Sequence, residues 1–359
     1  MTFHRFPSPS AVLLGLSCLL IASSGLLAQG GVSRPVGYIV QTIPAGQTRS
    51  FSVPLDAPAS SLGDSVGLIT DVGENWLENA AADWVPGVFS SPEYPYFLRL
   101  TSGAQSGRLF RIINPANTAT RIYVADDGVD LLTLAIETGE NGAGYEIIPA
   151  DTLATLFGTA GEGNLMLQGG ETALEADLVQ VWGGASWINF YFNTARDRWA
   201  RDLDSAASPS RDHFLLRPDR GVMITRRGGS DLNIPTIGRV LISPPRAVHS
   251  RTENALTFLA TMQAMDTTLG ELALQTESRT HAWKSAADPT EADLLVVWAG
   301  ASWFSFYFNS ESGHWQRSDE TDTNRDGFVI KAGTPIFVQR RDAGETAADK
   351  TIQFPSIGN

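Results

Sequence analysis

Residues 175–194 read EADLVQVWGGASWINFYFNT and residues 291–310 read EADLLVVWAGASWFSFYFNS, with fourteen of twenty positions identical at a constant offset of 116. Self-similarity of this kind means that the chain builds one supersecondary unit twice. The correspondence runs on through Trp199 and Trp315, Phe214 and Phe328, the pairs Arg226-Arg227 and Arg340-Arg341, and Pro235-Thr-Ile-Gly and Pro355-Ser-Ile-Gly. Both copies close on the same element.

Within the repeat the pattern has the two-residue period of strands. Ile188, Phe190 and Phe192 share one face, and Trp187, Asn189, Tyr191 and Asn193 the other; the second copy sets Phe304, Phe306 and Phe308 against Trp303, Ser305, Tyr307 and Asn309. The preceding strand, Asp177 to Trp182, is apolar on both faces, and Gln180 becomes Val296 in the second copy, which marks a central strand. Gly183-Gly184 and Ala299-Gly300 supply tight hairpin turns, and the equal spacing to Trp199 and Trp315 implies a second hairpin in each copy.

Ahead of the repeats, residues 35–149 alternate in short segments. Phe51, Val53 and Leu55 share a face, Tyr96–Leu100 and Arg108–Ile113 flank a Thr-Ser-Gly-Ala-Gln-Ser-Gly turn, and Arg121–Ala125 follows an Asn-Pro turn. Trp76–Trp84 and Asp151–Phe157 have the composition of short helices. The expected fold is mainly β. A small antiparallel barrel or sandwich N-terminal domain (35–149) precedes two homologous antiparallel β modules (150–242 and 243–359), with a linker near Ser243-Pro244-Pro245.

Residues 1–28 have the form of a secretory signal: His4 and Arg5, an apolar run from Ala11 to Leu27, and a small residue at Ala28. No second apolar span follows, so the expectation is an exported protein, periplasmic, cell-surface or extracellular, with no membrane span once the signal is removed. Cys18 is the only cysteine, and Gly15 stands where a lipoprotein signal carries leucine. The mature chain therefore holds neither a disulfide nor a thiolate metal site. A net charge of −13, with arginine the main basic residue, excludes nucleic acid as the expected partner and leaves cations and neutral polymers.

Several segments resemble a family of exported bacterial β proteins to which no activity is attached. They are Pro35-Val-Gly-Tyr, Ile43-Pro-Ala-Gly-Gln-Thr-Arg-Ser-Phe-Ser-Val-Pro54, Tyr145-Glu-Ile-Ile-Pro149 leading into Asp151-Thr-Leu-Ala-Thr-Leu-Phe157, and Thr267-Thr-Leu-Gly-Glu271. The resemblance covers most of the mature chain and implies a signal peptide, an N-terminal β domain and Tyr/Trp-rich hairpin modules. It carries no mechanism.

The candidate ligand-binding residues are Trp187, Asn189 and Tyr191 with their equivalents Trp303, Ser305 and Tyr307. Rings four residues apart on one strand face stand about 13 Å from each other and suit stacking on the sugars of a polysaccharide, with Asn189 and Ser305 bonding hydroxyls. The competing reading buries these rings against Trp199 and Trp315 or between the modules. Glu175 with Asp177, and Glu291 with Asp293, are carboxylate pairs of the kind glycosidases use, here placed at a strand entrance. Asp322, Asn324 and Asp326 match the first half of a calcium loop, but Gly333 replaces its closing glutamate and residues 205–212 offer no equivalent. Calcium is thus the one candidate cofactor, with a polar turn as the alternative. The glycine-rich 158–163 lacks the Lys-Ser or Lys-Thr of a phosphate loop, and His213, His249, His281 and His314 show no metal-ligand spacing.

The leading expectation is a non-catalytic structural or binding protein, with polysaccharide or a cell-surface protein as partner. A secreted polysaccharide hydrolase and a protein–protein adaptor are the alternatives.

Overall fold

Both repeat hairpins turn on glycine. Gly184 and Gly300 sit at φ 94° and 95°, where a side chain would strain the backbone. Gly183 N–H donates to Ser186 O and Ala299 N–H to Ser302 O, each at 2.9 Å, and the turns bring Trp182 opposite Trp187 and Trp298 opposite Trp303. The computed structural model describes residues 35–91, 93–113, 117–125, 130–250, 252, 254–320, 322–341 and 350–356. The signal segment, the Asn114-Pro115 turn and the last three residues lie outside the described residues.

Strands β1 (Val36–Ile43) and β2 (Thr48–Phe51) come first. Next are β3 (Val66–Leu68), β4 (Asp71–Val72), β5 (Trp76–Glu78), β6 (Tyr96–Leu100), β7 (Leu109–Ile112), β8 (Arg121–Ala125) and β9 (Gly144–Pro149). The first copy contributes β10 (Asp151–Thr152), helix α1 (Leu153–Phe157), β11 (Leu178–Trp182), β12 (Trp187–Asn193), β13 (Arg198–Arg201), β14 (Leu215–Leu216), β15 (Val222–Thr225) and β16 (Leu232–Arg239). The second runs through β17 (Arg246–Val248), β18 (Leu256–Leu259), β19 (Thr267–Thr268), helix α2 (Leu269–Leu272), β20 (Leu294–Trp298) and β21 (Trp303–Asn309). It ends with β22 (His314–Arg317), β23 (Val329–Ile330), β24 (Ile336–Gln339) and β25 (Thr351–Gln353).

The chain is mainly β and its sheets are antiparallel. The two copies build the same five-stranded sheet, in the order β13-β12-β11-β15-β2 and β22-β21-β20-β24-β18, with β11 and β20 central as their two-sided hydrophobicity requires. A ribbon accompanies each sheet, β1 with β16 and β17 with β25. A capping box starts each short helix: the Thr152 hydroxyl accepts from Thr155 N–H, the Thr268 hydroxyl from Glu271 N–H, and the third residue returns the bond. The helix read at Asp151–Phe157 is thus present from Leu153. Trp76–Trp84 is not helical. Its first residues form β5, because Trp76 pairs with Tyr123 of β8, and ladder pairing to a distant strand overrides local composition.

Alternation assigns β1 and β2 to the N-terminal segment, but both are hydrogen-bonded into the first module, β1 along β16 and β2 along β15. The equivalent strands of the second module, β17 and β18, are contiguous with it. Residues 52–150 therefore stand between β2 and β10 where the second module has only residues 260–266. They form an inserted seven-stranded sheet, β3-β9-β6-β7-β8-β5-β4, which stays open at β3 and β4 and does not close into a barrel. Its core gathers Leu77, Trp84, Leu98, Phe110, Val124 and Tyr145.

Strand β6 faces two ways and is buried on both sides. Tyr96, Leu98 and Leu100 enter the insert's own core, while Phe97 joins the core of the second module with Leu295, Phe306 and Trp315. Arg99, also on that second face, is buried in an ion cluster. It bonds Asp56 and Glu146, and Arg239 reaches the same two carboxylates at 2.7 and 3.0 Å. Among the described residues two guanidinium groups face two carboxylates at the junction of insert and first module, which meets the need for buried charges to be paired. Among the described residues no helix is long and apolar enough to cross a membrane.

Candidate functional site

The tryptophans at the hairpin ends meet between the modules. Trp182 and Trp187 pack edge-to-face with centroids 5.2 Å apart, and Trp298 and Trp303 repeat this at 5.1 Å. Phe337 and Phe258 fill the space among the four indoles: Trp182 lies 5.2 Å from Phe337, Trp187 5.5 Å from Phe258, and Trp303 5.1 Å from Phe337. Each such pair contributes about 0.5–1.5 kcal/mol beyond simple burial.

Hydrogen bonds across this seam come in matched pairs. Trp182 Nε1 donates to Leu256 O at 2.8 Å and Trp298 Nε1 to Thr48 O at 3.0 Å; Leu256 and Thr48 are the first residues of the equivalent strands β18 and β2. Ser52 N–H donates to Gly333 O at 2.9 Å and Ala260 N–H to Asp219 O at 3.1 Å, again between equivalent positions. The modules are thus related by a local two-fold axis, the intrachain form of an isologous contact. Gly221 and its counterpart Pro335 meet near that axis, where a Cβ on Gly221 would lie 2.2 Å from Pro335 Cβ.

The aromatic residues read from the sequence separate accordingly. Strand β13 pairs with β12 only from Phe190 to Asn193, which covers Tyr191 with Ala200 and leaves Trp187 overhanging toward the other module. Tyr191 is 7% exposed and Tyr307 4%. The Tyr191 hydroxyl accepts from Asn193 Nδ2 at 3.0 Å, and the Tyr307 hydroxyl donates to Gln316 Oε1 at 2.9 Å. Trp187 and Trp303 are half-buried in the seam. These four rings form no shared exposed plane. Asn189 accepts from Gln180 Nε2 and donates to Asp202 Oδ2, while Ser305 is half-buried opposite Val296.

The paired carboxylates also divide. Asp177 and Asp293 are buried and receive backbone donors: Arg227 N–H at 2.6 Å and Gln168 N–H at 2.8 Å on Asp177, Arg341 N–H at 2.6 Å and Lys284 N–H at 2.7 Å on Asp293. Arg226 and Arg340 close the ion pairs, so the repeated Arg-Arg motif serves these aspartates. Glu175 is exposed and accepts from Glu171 and Thr172 N–H in a turn, and Glu291 is exposed as well.

In the calcium-like segment, Asp326 accepts from Trp315 N–H at 2.8 Å and bonds His314, while Asn324 accepts from Asp326 N–H at 2.8 Å. Asp212 receives Trp199 N–H at 2.8 Å, so the first copy does contain the counterpart of Asp326, in a structural role. Asp322 is exposed at φ 55°. Among the described residues no three His, Cys, Asp or Glu side chains are grouped to hold a metal ion.

Beside the seam lies a cleft of about 580 Å³. Trp182, Leu256 and Phe258 form its apolar wall, and Arg217, Arg220, His249, Ser250 and Thr257 its polar one. Its size falls in the range of small-ligand sites. Family models, curated proteins and solved structures gave no match to this chain.

Local chemistry defines the cleft. Asp219, buried behind it, is bonded by Arg217 at 2.9 Å and by Arg220 at 3.3 Å. Burial by itself raises the Asp219 carboxyl, but the two guanidinium groups overcome this and bring it down to about 2. His249 accepts from Arg340 Nη1 at 3.1 Å through Nε2, so its Nδ1 carries the proton and donates to Ser250 O at 2.9 Å.

Two-fold symmetry relates the cleft to the position beside Trp298, and there one side chain reaches across. Arg49 Nη1 donates to Gly300 O at 2.7 Å, whereas Gly184, the counterpart of Gly300, has open space around it. By strand register the residue equivalent to Arg49 is Thr257, which is too short to cross. Sequence comparison of the copies alone does not reveal this difference, because Arg49 lies ahead of the insert and outside the recognisable repeat. The signal needed is the register of β2 on β15.

Proposed function

We propose that this chain is a non-catalytic exported binding protein, periplasmic, surface-attached or extracellular, whose two modules act as one rigid body with its ligand site in the cleft beside Trp182. The observation that supports this reading is the broken symmetry of the seam: Arg49 reaches across to Gly300 on one side, and its equivalent Thr257 leaves the cleft open on the other. The tryptophans at the hairpin ends pack between the modules, which supports reading the duplication as a scaffold. Among the described residues no carboxylate lines the cleft, and a glycosidase needs two. The reading therefore favours binding over hydrolysis.

A glycan and small-metabolite array on the mature protein tests it, with Thr257→Arg, which copies Arg49 into the open cleft, as comparison. Retention by the wild type and loss in the folded variant are expected. Retention by neither, or equally by both, refutes the reading.

A further inference from the structure

We propose that β1 is the pairing edge of a dimer: β1 of a second copy adds to it antiparallel and makes one four-stranded sheet, β16-β1-β1-β16, about a two-fold axis. This contact is independent of the cleft. Backbone direction points to it. Arg239 N–H donates to Asp56 O at 2.7 Å and Asp56 N–H to Arg239 O at 2.8 Å, so the Arg239 backbone faces away from β1. By alternation Ile237, Pro235 and Asn233 face the same way, and opposite them Val36, Tyr38, Val40 and Thr42 turn their N–H and C=O groups away from β16. Among the described residues nothing bonds these outward groups of β1. The side chains of Val36, Tyr38 and Val40 are 70%, 64% and 44% exposed, and Ile237, paired with Tyr38, is 73% exposed.

The equivalent edge of the second module is closed. Register and the shared Pro-x-Ile-Gly element place Pro244 and Arg246 at the positions of Val40 and Thr42. Pro244 has no N–H to offer, and Arg246 is covered by the insert: its N–H donates to Gly107 O at 3.3 Å and its guanidinium to Ser106 O and Ala104 O. Nothing comparable lies along β1. Open edges are ordinarily guarded by a charge, a proline or a bulge. Strand β1, VGYIVQTI, has no charge and no proline, and its register on β16 is unbroken.

A second copy fits this edge. Antiparallel pairing centred on Ile39 sets Tyr38 opposite Val40 of the second copy and Val36 opposite its Thr42, which gives every outward N–H a carbonyl. The apolar face then runs unbroken from one Ile237 across both β1 strands to the other, with tyrosine–valine pairs at its middle. Because β1 is uncharged, two copies meet there without the local repulsion that a net charge of −13 sets against self-association. Growth stops at two, since Pro235 faces the outer edge of β16 and offers no N–H to a further strand.

Sedimentation of the chain from residue 29 onward, between about 1 μM and 1 mM, tests this. The variants are Val40→Lys, Val40→Pro and, as a control on an exposed apolar residue outside the ribbon, Val329→Lys, with folding checked by circular dichroism. A monomer–dimer equilibrium is expected in wild type and Val329→Lys, weakened at least roughly tenfold in both β1 variants because two-fold symmetry counts each substitution twice. A nitroxide on Thr42→Cys, the only cysteine that chain would hold, should lie about 20 Å from its counterpart, six residues along the paired strand. A dimer that both β1 variants leave intact overturns the inference, and so does a labelled dimer without this distance. A chain that is monomeric at every concentration overturns it too. If that monomer binds a synthetic peptide of residues 36–43, the edge accepts strands but a second copy is not its occupant.

Discussion

Replacing Asp151 by asparagine should stabilise the protein at neutral pH and leave it unchanged in acid. Asp151 opens β10 and lines a small cavity with Phe51, Val53, Leu55, Ile148 and Leu156. Among the described residues its carboxylate has no hydrogen-bond partner, and burial raises it from the ordinary 3.8 to about 6. A folded-state value above the unfolded one means that the fold binds the proton more tightly. Below the unfolded value both states are protonated and no penalty exists; the penalty grows as pH rises and is complete above about 6. The difference corresponds to up to about 3 kcal/mol at pH 7. The second module carries threonine at this position, Thr267, which has no charge to bury. Urea denaturation followed by tryptophan fluorescence, at several values between about pH 4 and pH 8, should show Asp151→Asn and wild type converging at the acid end and separating at the other. A stability difference that does not vary with pH would falsify the argument, since it would mean that packing, not charge, distinguishes the two side chains.

Three further substitutions probe the frame around the site. Arg99→Met removes one of the guanidinium groups bonded to the buried Asp56 and Glu146 and should lower stability by roughly 3–5 kcal/mol in the same denaturation assay; a loss under about 1 kcal/mol would show the cluster to be well solvated. Gly221→Ala puts a methyl against Pro335 at the local axis, and a cost of about 1–3 kcal/mol with a red shift of the seam tryptophans is expected, whereas unchanged fluorescence would argue against so close an approach. Trp182→Phe and Trp298→Phe remove equivalent hydrogen bonds to Leu256 O and Thr48 O, each worth about 1 kcal/mol, so their melting temperatures should fall by similar amounts; a large effect of only one would contradict the matched seam.

Local pattern revealed the strands, their inward faces and the glycine turns, because side-chain period and turn chemistry are properties of neighbouring residues. Ile188, Phe190 and Phe192 point to the core as alternation requires, and β11 is central as its two-sided hydrophobicity implies. Partners were not legible in the same way. A two-residue period tells which face of β2 is apolar but not that β15 pairs with it across the whole insert. The amphipathic face of Trp187 looks alike whether a sugar or another module covers it, and only the overhang of β12 beyond β13 decides between them. Trp76 has no local signal for pairing with Tyr123, so its segment resembles a helix. The open cleft was least visible, because it arises where Thr257 and Arg49 differ, and their equivalence exists only in three dimensions.

The insertion between β2 and β10 also determines an order of events at the ribosome. β17 and β18 find their partners within one continuous stretch, but β1 and β2 emerge first and meet β16 and β15 only after the entire insert and most of the first copy have been made. During that interval the insert's sheet can form, since its strands pair only with each other. Once formed, it holds Asp56 beside Glu146 through Arg99, and so brings the two ends of a long loop together before the first module needs them. A folded insert shortens the search that a disordered linker would impose on β2. The same chronology leaves the edges of β1 and β2 unprotected for longest, and slow or interrupted synthesis should expose these strands to mispairing.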